Sequence, residues 1–223
     1  MIKAVIFDLD GLLIDSEPLW RDAEVDIFSR IGVSLNHEMT HQTMGLRVDE
    51  VVEYWYRKQP WQKISKKDVA NQIDRKVIEL VTKEGKALPG VIEVLNLFKS
   101  KKLPIAVASS SSLSLINTVL NKFGISDDIS VVCSAHNELY GKPHPAVFLR
   151  TLDELNLNLD TSIHSEQCLV FEDSINGIIA AKAAKMKCIA VPQSELNNDK
   201  RLGIADYVIK SLSEFKSDLL DIV

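Results

Sequence analysis

The stretch Ala4-Val5-Ile6-Phe7-Asp8-Leu9-Asp10-Gly11 decides the fold. Its first four residues are an apolar, partly β-branched run of the kind found in strands covered on both faces. It ends in two carboxylates and a glycine, where the chain has the freedom to turn sharply. Similar runs recur at 105–108, 129–133, 168–171, 189–191 and 207–209. Between them, segments 91–101, 113–123, 146–155 and 175–184 carry apolar residues three and four apart, the spacing of amphipathic helices. Strand alternating with helix predicts an α/β protein with a doubly wound parallel sheet.

The alternation breaks once, between residues 18 and 86, where the pattern is helical throughout. Val48, Val51, Val52 and Trp55 keep helical spacing, and Val69, Ile73, Val77, Leu80 and Val81 do so again. The expected organisation is therefore a core made of 1–15 and 88–223, with an all-helical cap domain, 16–87, inserted after the first strand. Leu88-Pro89-Gly90 supplies turn chemistry at the exit. An insertion placed there can act as a lid that excludes water and reads a substrate.

With 223 residues, a net charge of -5 and only 9 Gly and 7 Pro, the chain has the proportions of an ordinary folded protein. Mild acidity provides no field to hold a polyanion, so neither nucleic acid nor a membrane surface is an expected partner. No apolar run approaches the roughly 20 residues that span a bilayer, and the first run is too short for a secretory h-region. Cys133, Cys168 and Cys188 are odd in number, far apart and set in apolar runs, which predicts buried free thiols and a cytoplasmic setting.

Ligands of parallel sheets bind beyond the carboxyl ends of the strands. The polar residues found there are Asp8, Asp10 and Gly11 after the first run, then Ser109, Ser110 and Ser111 after the second. Gly141-Lys142-Pro143 follows the third, and Glu172-Asp173 the fourth. Crowded carboxylates need a cation or a shared proton. Mg²⁺ suits such a site, with few protein ligands, waters and a phosphate completing its octahedron. Asp8 and Asp173 are the expected side-chain ligands, with Glu172 supporting from behind. Lys142, the hydroxyls of Ser109 and Ser110, and backbone N–H groups of Leu9 to Gly11 suit phosphoryl oxygens. A carboxylate can itself attack phosphorus, and Asp10, two residues on from Asp8, could then serve as acid and base.

Together these residues resemble the haloacid dehalogenase-like hydrolase superfamily. The four motifs read Asp8-Leu9-Asp10-Gly11, Ala108-Ser109-Ser110-Ser111, Gly141-Lys142-Pro143 and Phe171-Glu172-Asp173-Ser174-Ile175-Asn176-Gly177. The resemblance implies a Rossmann-like core with a helical cap, Asp8 as nucleophile, Asp10 as acid/base and metal ligand through its carbonyl, and Asp173 as the remaining ligand. Dehalogenases of the superfamily lack the second aspartate and need no metal, so Asp10 points away from them. β-Phosphoglucomutase-like members have a histidine where this chain has Trp20. The segments Asp15-Ser16-Glu17-Pro18-Leu19-Trp20, Gly45-Leu46-Arg47 and Trp55 to Trp61 look like the branch acting on 2-deoxyglucose 6-phosphate and hexitol phosphates. The resemblance thus implies a phosphatase of small phosphorylated sugars, and the chain is expected to be a monomer; the alternatives are a sugar phosphomutase and a non-catalytic phosphate-binding module. Glu17, Trp20 and Arg47 are the candidate specificity residues of the cap, while Trp55 and Tyr56 are read as packing. One departure is Lys185-Met186, where many relatives have Gly-Met.

His37-Glu38-Met39-Thr40-His41 matches the His-Glu-x-x-His pattern of zinc peptidases. It lacks the apolar flanks of a buried metal helix and a third ligand at a familiar spacing. His144 is read as a loop residue, and the basic runs 63–67 and 99–102 as solvated helix ends.

Overall fold

The computed structural model describes residues 1–193, 196 and 198–221. Six strands form one parallel sheet: β1 (Ala4–Phe7), β2 (Ile105–Ser109), β3 (Val131–Ser134), β4 (Cys168–Glu172), β5 (Lys187–Ala190) and β6 (Tyr207–Val208). Their order is β3-β2-β1-β4-β5-β6. The winding reverses at β1, which lies between β2 and β4, and this is where a doubly wound sheet opens a crevice. Phe7 pairs with Val107 on one side and with Phe171 on the other. That register sets the residues after β1 level with Ala108 and Glu172, so three segments distant in sequence end at one edge.

Strands β1, β2 and β4 are buried on both faces, β3 and β5 nearly so, while the two-residue β6 is exposed; alternate residues enter two separate cores. Val5, Phe7, Val107, Leu169 and Phe171 belong to one, which continues into the helical insertion; Ala4, Ile6, Ala106, Ala108 and Val170 belong to the other. Phe7 stacks on Phe171 with centroids 4.9 Å apart, and Phe98 and Phe215 close around the pair. The opposite face is built from smaller residues and holds all three cysteines, which are free and buried as expected. Helices α5 (Val91–Ser100), α6 (Leu113–Phe123), α7 (Ala146–Leu159) and α8 (Ile175–Ala183) cover the sheet.

The cap comprises α1 (Glu17–Arg30), α2 (His37–Thr40), α3 (Val48–Lys58) and α4 (Lys66–Glu84). Pro18 in the first turn of α1 has no N–H to leave unsatisfied. The valine faces of α3 and α4 are buried together with Trp55, the packing role expected for that residue. Tyr56 meets Trp61 edge to face. Two chain segments join cap to core side by side: Ile14 bridges both Asp10 and Ala87, and the Asp15 N–H donates to the Lys86 carbonyl. The cap also rests on the core farther out. Ser112 Oγ donates to Asp74 at 2.8 Å, Lys122 Nζ to the Thr82 carbonyl at 2.7 Å, and Arg47 reaches two core carbonyls.

Candidate active site

Asp8 is the first residue beyond β1, 6% exposed, with its N–H bonded to the Phe171 carbonyl. Its Oδ1 accepts from Lys142 Nζ at 2.6 Å. The same ammonium donates to Glu172 Oε1 at 2.6 Å and to the Ala108 carbonyl at 3.0 Å, so all three of its protons have protein acceptors. Lys142 is thus a fixed charge rather than the mobile one its loop position suggests. Glu172 is fully buried, and its other oxygen accepts from the N–H and hydroxyl of Ser174 at 3.0 and 3.1 Å.

Asp8, Glu172 and Asp173 bring carboxylate oxygens within 4.8 Å of one another, the group among the described residues whose geometry could hold a metal ion. Lys142 is the ammonium that serves this cluster, and one cation cannot balance three buried carboxylates. Burial, followed by the charges of Glu172 and Asp10, pushes Asp8 up to about 8 despite the pull of Lys142. Burial and the neighbouring carboxylates also hold Asp173 well above the ordinary range, while Asp8 and Glu172 keep Lys142 protonated. A hard, oxygen-only donor set short of positive charge fits a small divalent cation.

Gly11 makes the cluster possible. Its φ of +70° favours glycine, and a β-carbon there would strike Asp173 Oδ2 and Gln193 Nε2. Its N–H donates to the Ile14 carbonyl, so that donor is engaged in the turn rather than directed at a phosphate. The Leu9 carbonyl accepts from Leu13 at 2.8 Å, and the Leu9 side chain is buried. Gly177 has a comparable role: it lies in α8, and a β-carbon would overlap the Glu172 carboxylate.

The Asp10 carboxylate collects donors from both domains. Oδ1 accepts from Ser16 Oγ at 2.6 Å and Trp20 Nε1 at 2.8 Å; Oδ2 accepts from Ser111 Oγ at 2.5 Å and, weakly, Ser109 Oγ at 3.5 Å. Ser110 instead donates to the Gly45 carbonyl of the cap at 3.2 Å. Ser16 is a partner that the sequence pattern missed, and Ser111, which the pattern placed at this strand end, is bonded to Asp10 rather than open to a ligand. A serine ahead of a helix reads as its cap, yet Ser16 makes no capping bond and gives its hydroxyl to Asp10.

Asp8, Asp10, Ser109, Ser110, Lys142 and Asp173 line one cavity of about 50 Å³. Glu17, Trp20 and Glu24 of α1 line it from the cap. Arg47 is not among its lining residues. Its Nη1 donates to the carbonyls of Ala135 and Glu138 at 3.1 and 2.8 Å, and Nη2 to Asp49 at 3.2 Å. The His-Glu-x-x-His pair is apart from the cluster: His37 meets Asp22 at 3.1 Å and His41 meets Arg21 at 3.3 Å, in exposed positions. His144 lies against the Tyr140 ring at a tilt of 45° and accepts from the Ala146 N–H.

Three buried carboxylates, a lysine locked between two of them and the nearby Asp10 thus lie together at the switch point of a capped parallel sheet. The family model described as "Haloacid dehalogenase-like hydrolase" matches residues 5–191, and the chain belongs to that family. It is 42% identical to hexitol phosphatase B of Escherichia coli (strain K12), over 98% of this chain and 97% of that protein. It is 29% identical to the phosphorylated carbohydrates phosphatase of Thermotoga maritima, over 90% of each. Among solved structures, CbbY from Rhodobacter sphaeroides in complex with phosphate superposes with a TM-score of 0.85 at 26% identity, covering 96% of both chains. β-Phosphoglucomutase from Clostridium difficile gives 0.83 at 27% identity, covering 99% of this chain and 96% of that one. No helix among the described residues is long and apolar enough to cross a membrane.

Proposed function

We propose that this chain is a Mg²⁺-dependent phosphatase of small sugar phosphates, 2-deoxyglucose 6-phosphate and hexitol phosphates among them, working through an aspartyl-phosphate on Asp8. The core is 1–15 with 88–223, and the cap 16–87. The observation that carries the reading is the buried Asp8 carboxylate, hydrogen-bonded to Lys142 and grouped with Glu172 and Asp173. The likeness to a hexitol phosphatase supports the substrate class.

An Asp8 oxygen attacks phosphorus, and the P–O bond to the sugar breaks as the acyl phosphate forms. Asp10, having taken up a proton, gives it to the departing alkoxide and then takes one from the water that attacks the acyl phosphate, releasing inorganic phosphate and restoring Asp8 and the protonated Asp10 for the next turn. Lys142 fixes the Asp8 carboxylate and places a positive charge beside the phosphoryl group, while the Ser109 and Ser110 hydroxyls turn from Asp10 and the Gly45 carbonyl to meet its oxygens once the cap parts. Glu172 holds Lys142 in place. Asp8, the Asp10 carbonyl and Asp173 would hold Mg²⁺, which supplies positive charge against the crowded carboxylates and the phosphate dianion.

The cavity, about 50 Å³, is far smaller than the roughly 300 Å³ of an ordinary small-molecule site. Substrate entry therefore requires the cap to part from the core at the paired segments near Ile14 and Ala87. Trp20 offers an N–H donor and no base, which supports hydrolysis over transfer to a second sugar hydroxyl.

The test is release of inorganic phosphate from a panel of sugar phosphates with Mg²⁺. Wild type should turn over hexose and hexitol phosphates, and Asp8→Asn should lose about a thousandfold or more. Equal rates for the two proteins would remove Asp8 as nucleophile.

A further inference from the structure

We propose that Glu24 is a specificity residue of the cap, accepting and donating a hydrogen bond with a hydroxyl at the end of the substrate remote from phosphorus. The inference rests on the phosphatase reading above and adds which part of the sugar is recognised and by what.

Glu17, Trp20 and Glu24 line the cavity from one side of α1, spaced three and four residues apart. Trp20 is fastened to Asp10, so the substrate's phosphate end is fixed near it. Glu24 lies one helical turn further, roughly 6 Å along the axis, a distance matched by several carbons of a sugar chain. Its neighbours Ala23, Ile27 and Phe28 are buried apolar residues, the usual occupants of such a position.

Glu24 breaks that pattern. It is 6% exposed, and its Oε2 has no hydrogen-bond partner among the described residues. A buried carboxyl oxygen left unpaired costs stability, and a site made to receive a polar ligand is where such a cost persists. Burial, then the charge of Glu17, pushes this carboxyl up to about 8, so near neutral pH it carries its proton. A neutral carboxyl has one donor and spare acceptors, the same complement as an alcohol. Thr40 and Thr43 line the same cavity with their hydroxyl protons given to the carbonyls of His37 and Thr40. This wall suits an uncharged polyol end.

The experiment compares kcat/KM for a hexitol 6-phosphate with that for p-nitrophenyl phosphate, which has no remote hydroxyl. In Glu24→Met the ratio of the two should fall at least tenfold, while Tm without ligand rises by roughly 2–6 °C because the unpaired group is gone. Glu24→Gln, which can still donate and accept, should keep the ratio within about threefold. Glu24→Ala, which leaves space instead of filling it, is the second apolar variant and should lose the preference too. A preference unchanged in a folded Glu24→Met or Glu24→Ala protein overturns the inference, as does equal loss on both substrates with a lowered Tm. A wild-type enzyme with no preference for the hexitol phosphate would overturn the substrate class itself, and is seen before any variant is made.

Discussion

Trp20 Nε1 donates to Asp10 Oδ1 at 2.8 Å, joining a cap side chain to the core carboxylate two residues from Asp8. Ser16 reaches the same oxygen at 2.6 Å from the segment that connects the domains. The cap thus sets the orientation of Asp10 as well as covering it. Trp20→Phe keeps the ring and removes one charge-assisted bond, a change of roughly 1.5–3 kcal/mol when such a bond acts in the transition state. The expected result is a kcat lowered by about ten- to a hundredfold. Trp20→Phe combined with Ser16→Ala should cost less than the product of the single effects, because both act on one oxygen. Independent effects in the double variant would mean that the two donors do not share a task.

A cation that binds only the folded protein must also stabilise it. At one hundred times its dissociation constant Mg²⁺ should add about 2.7 kcal/mol, which for a chain of this size is a rise in Tm of roughly 5–10 °C. Asp173→Asn removes a carboxylate of the buried cluster and should abolish that rise while leaving the metal-free protein folded. Melting curves with Mg²⁺ and with a chelator decide it; a variant that still gains the full increment would exclude Asp173 as a ligand.

The inner strands were legible because they are buried on both faces, so their apolar runs stand out from the amphipathic helices, whereas the short β6 is exposed. Their ends were less so. The run at 129 becomes β3 only at Val131, after a short 3₁₀ turn, and the run at 189 begins earlier, at Lys187, whose backbone pairs beside Leu169. Asp8 and Glu172 could be placed together because one follows β1 and the other ends β4 in parallel register, and Lys142 comes to the same edge on the loop beyond β3. What periodicity cannot supply is where a side chain points. Arg47, a candidate specificity residue by its place in the cap, engages backbone carbonyls of the core, and Ser111 gives its hydroxyl to Asp10 rather than to a ligand. Glu24 looks like one more solvated helix residue until the fold closes over it.

Glu24 should also leave a mark on the pH dependence of stability. Its carboxyl has an ordinary value near 4.5 and is pushed up to about 8 in the folded chain by burial and the charge of Glu17. Between those values the folded state holds a proton that the unfolded state has released, so stability falls as pH rises. The contribution is complete below about 4.5 and lost once pH passes through about 8. Denaturant unfolding at a series of pH values should therefore give a shallower decline for Glu24→Gln than for wild type across this window. Parallel curves would show that Glu24 does not titrate there.

Gly177→Ala sets two effects against each other. In a helix interior the change favours folding by roughly 1 kcal/mol. Here the new methyl would occupy the place of the Glu172 carboxylate, which is fully buried and tied to Lys142 and Ser174. Neither partner is a free chain end that can swing away, so overlap should prevail, with a net loss of about 1–3 kcal/mol. Phosphatase activity should fall with it, because Glu172 positions Lys142 against Asp8. A stabilised, fully active Gly177→Ala protein would mean that this carboxylate can be moved without consequence.

Arg47 tests whether the cap is held by a latch or reads substrate. Its guanidinium is buried, donates to two core carbonyls and is flanked by Asp49 and Glu50, the Nη2–Glu50 separation being 3.5 Å. Those carbonyls belong to the short segment ahead of Lys142, so the contact ties cap closure to the loop that carries the lysine. A latch is indifferent to what the phosphate is attached to. Arg47→Ala should therefore lower kcat/KM for p-nitrophenyl phosphate and for a hexitol phosphate by the same factor, about tenfold. Arg47→Lys should recover little of it, because an ammonium cannot reproduce the planar fork. A loss confined to the hexitol phosphate would instead place the guanidinium on the sugar once the cap has moved.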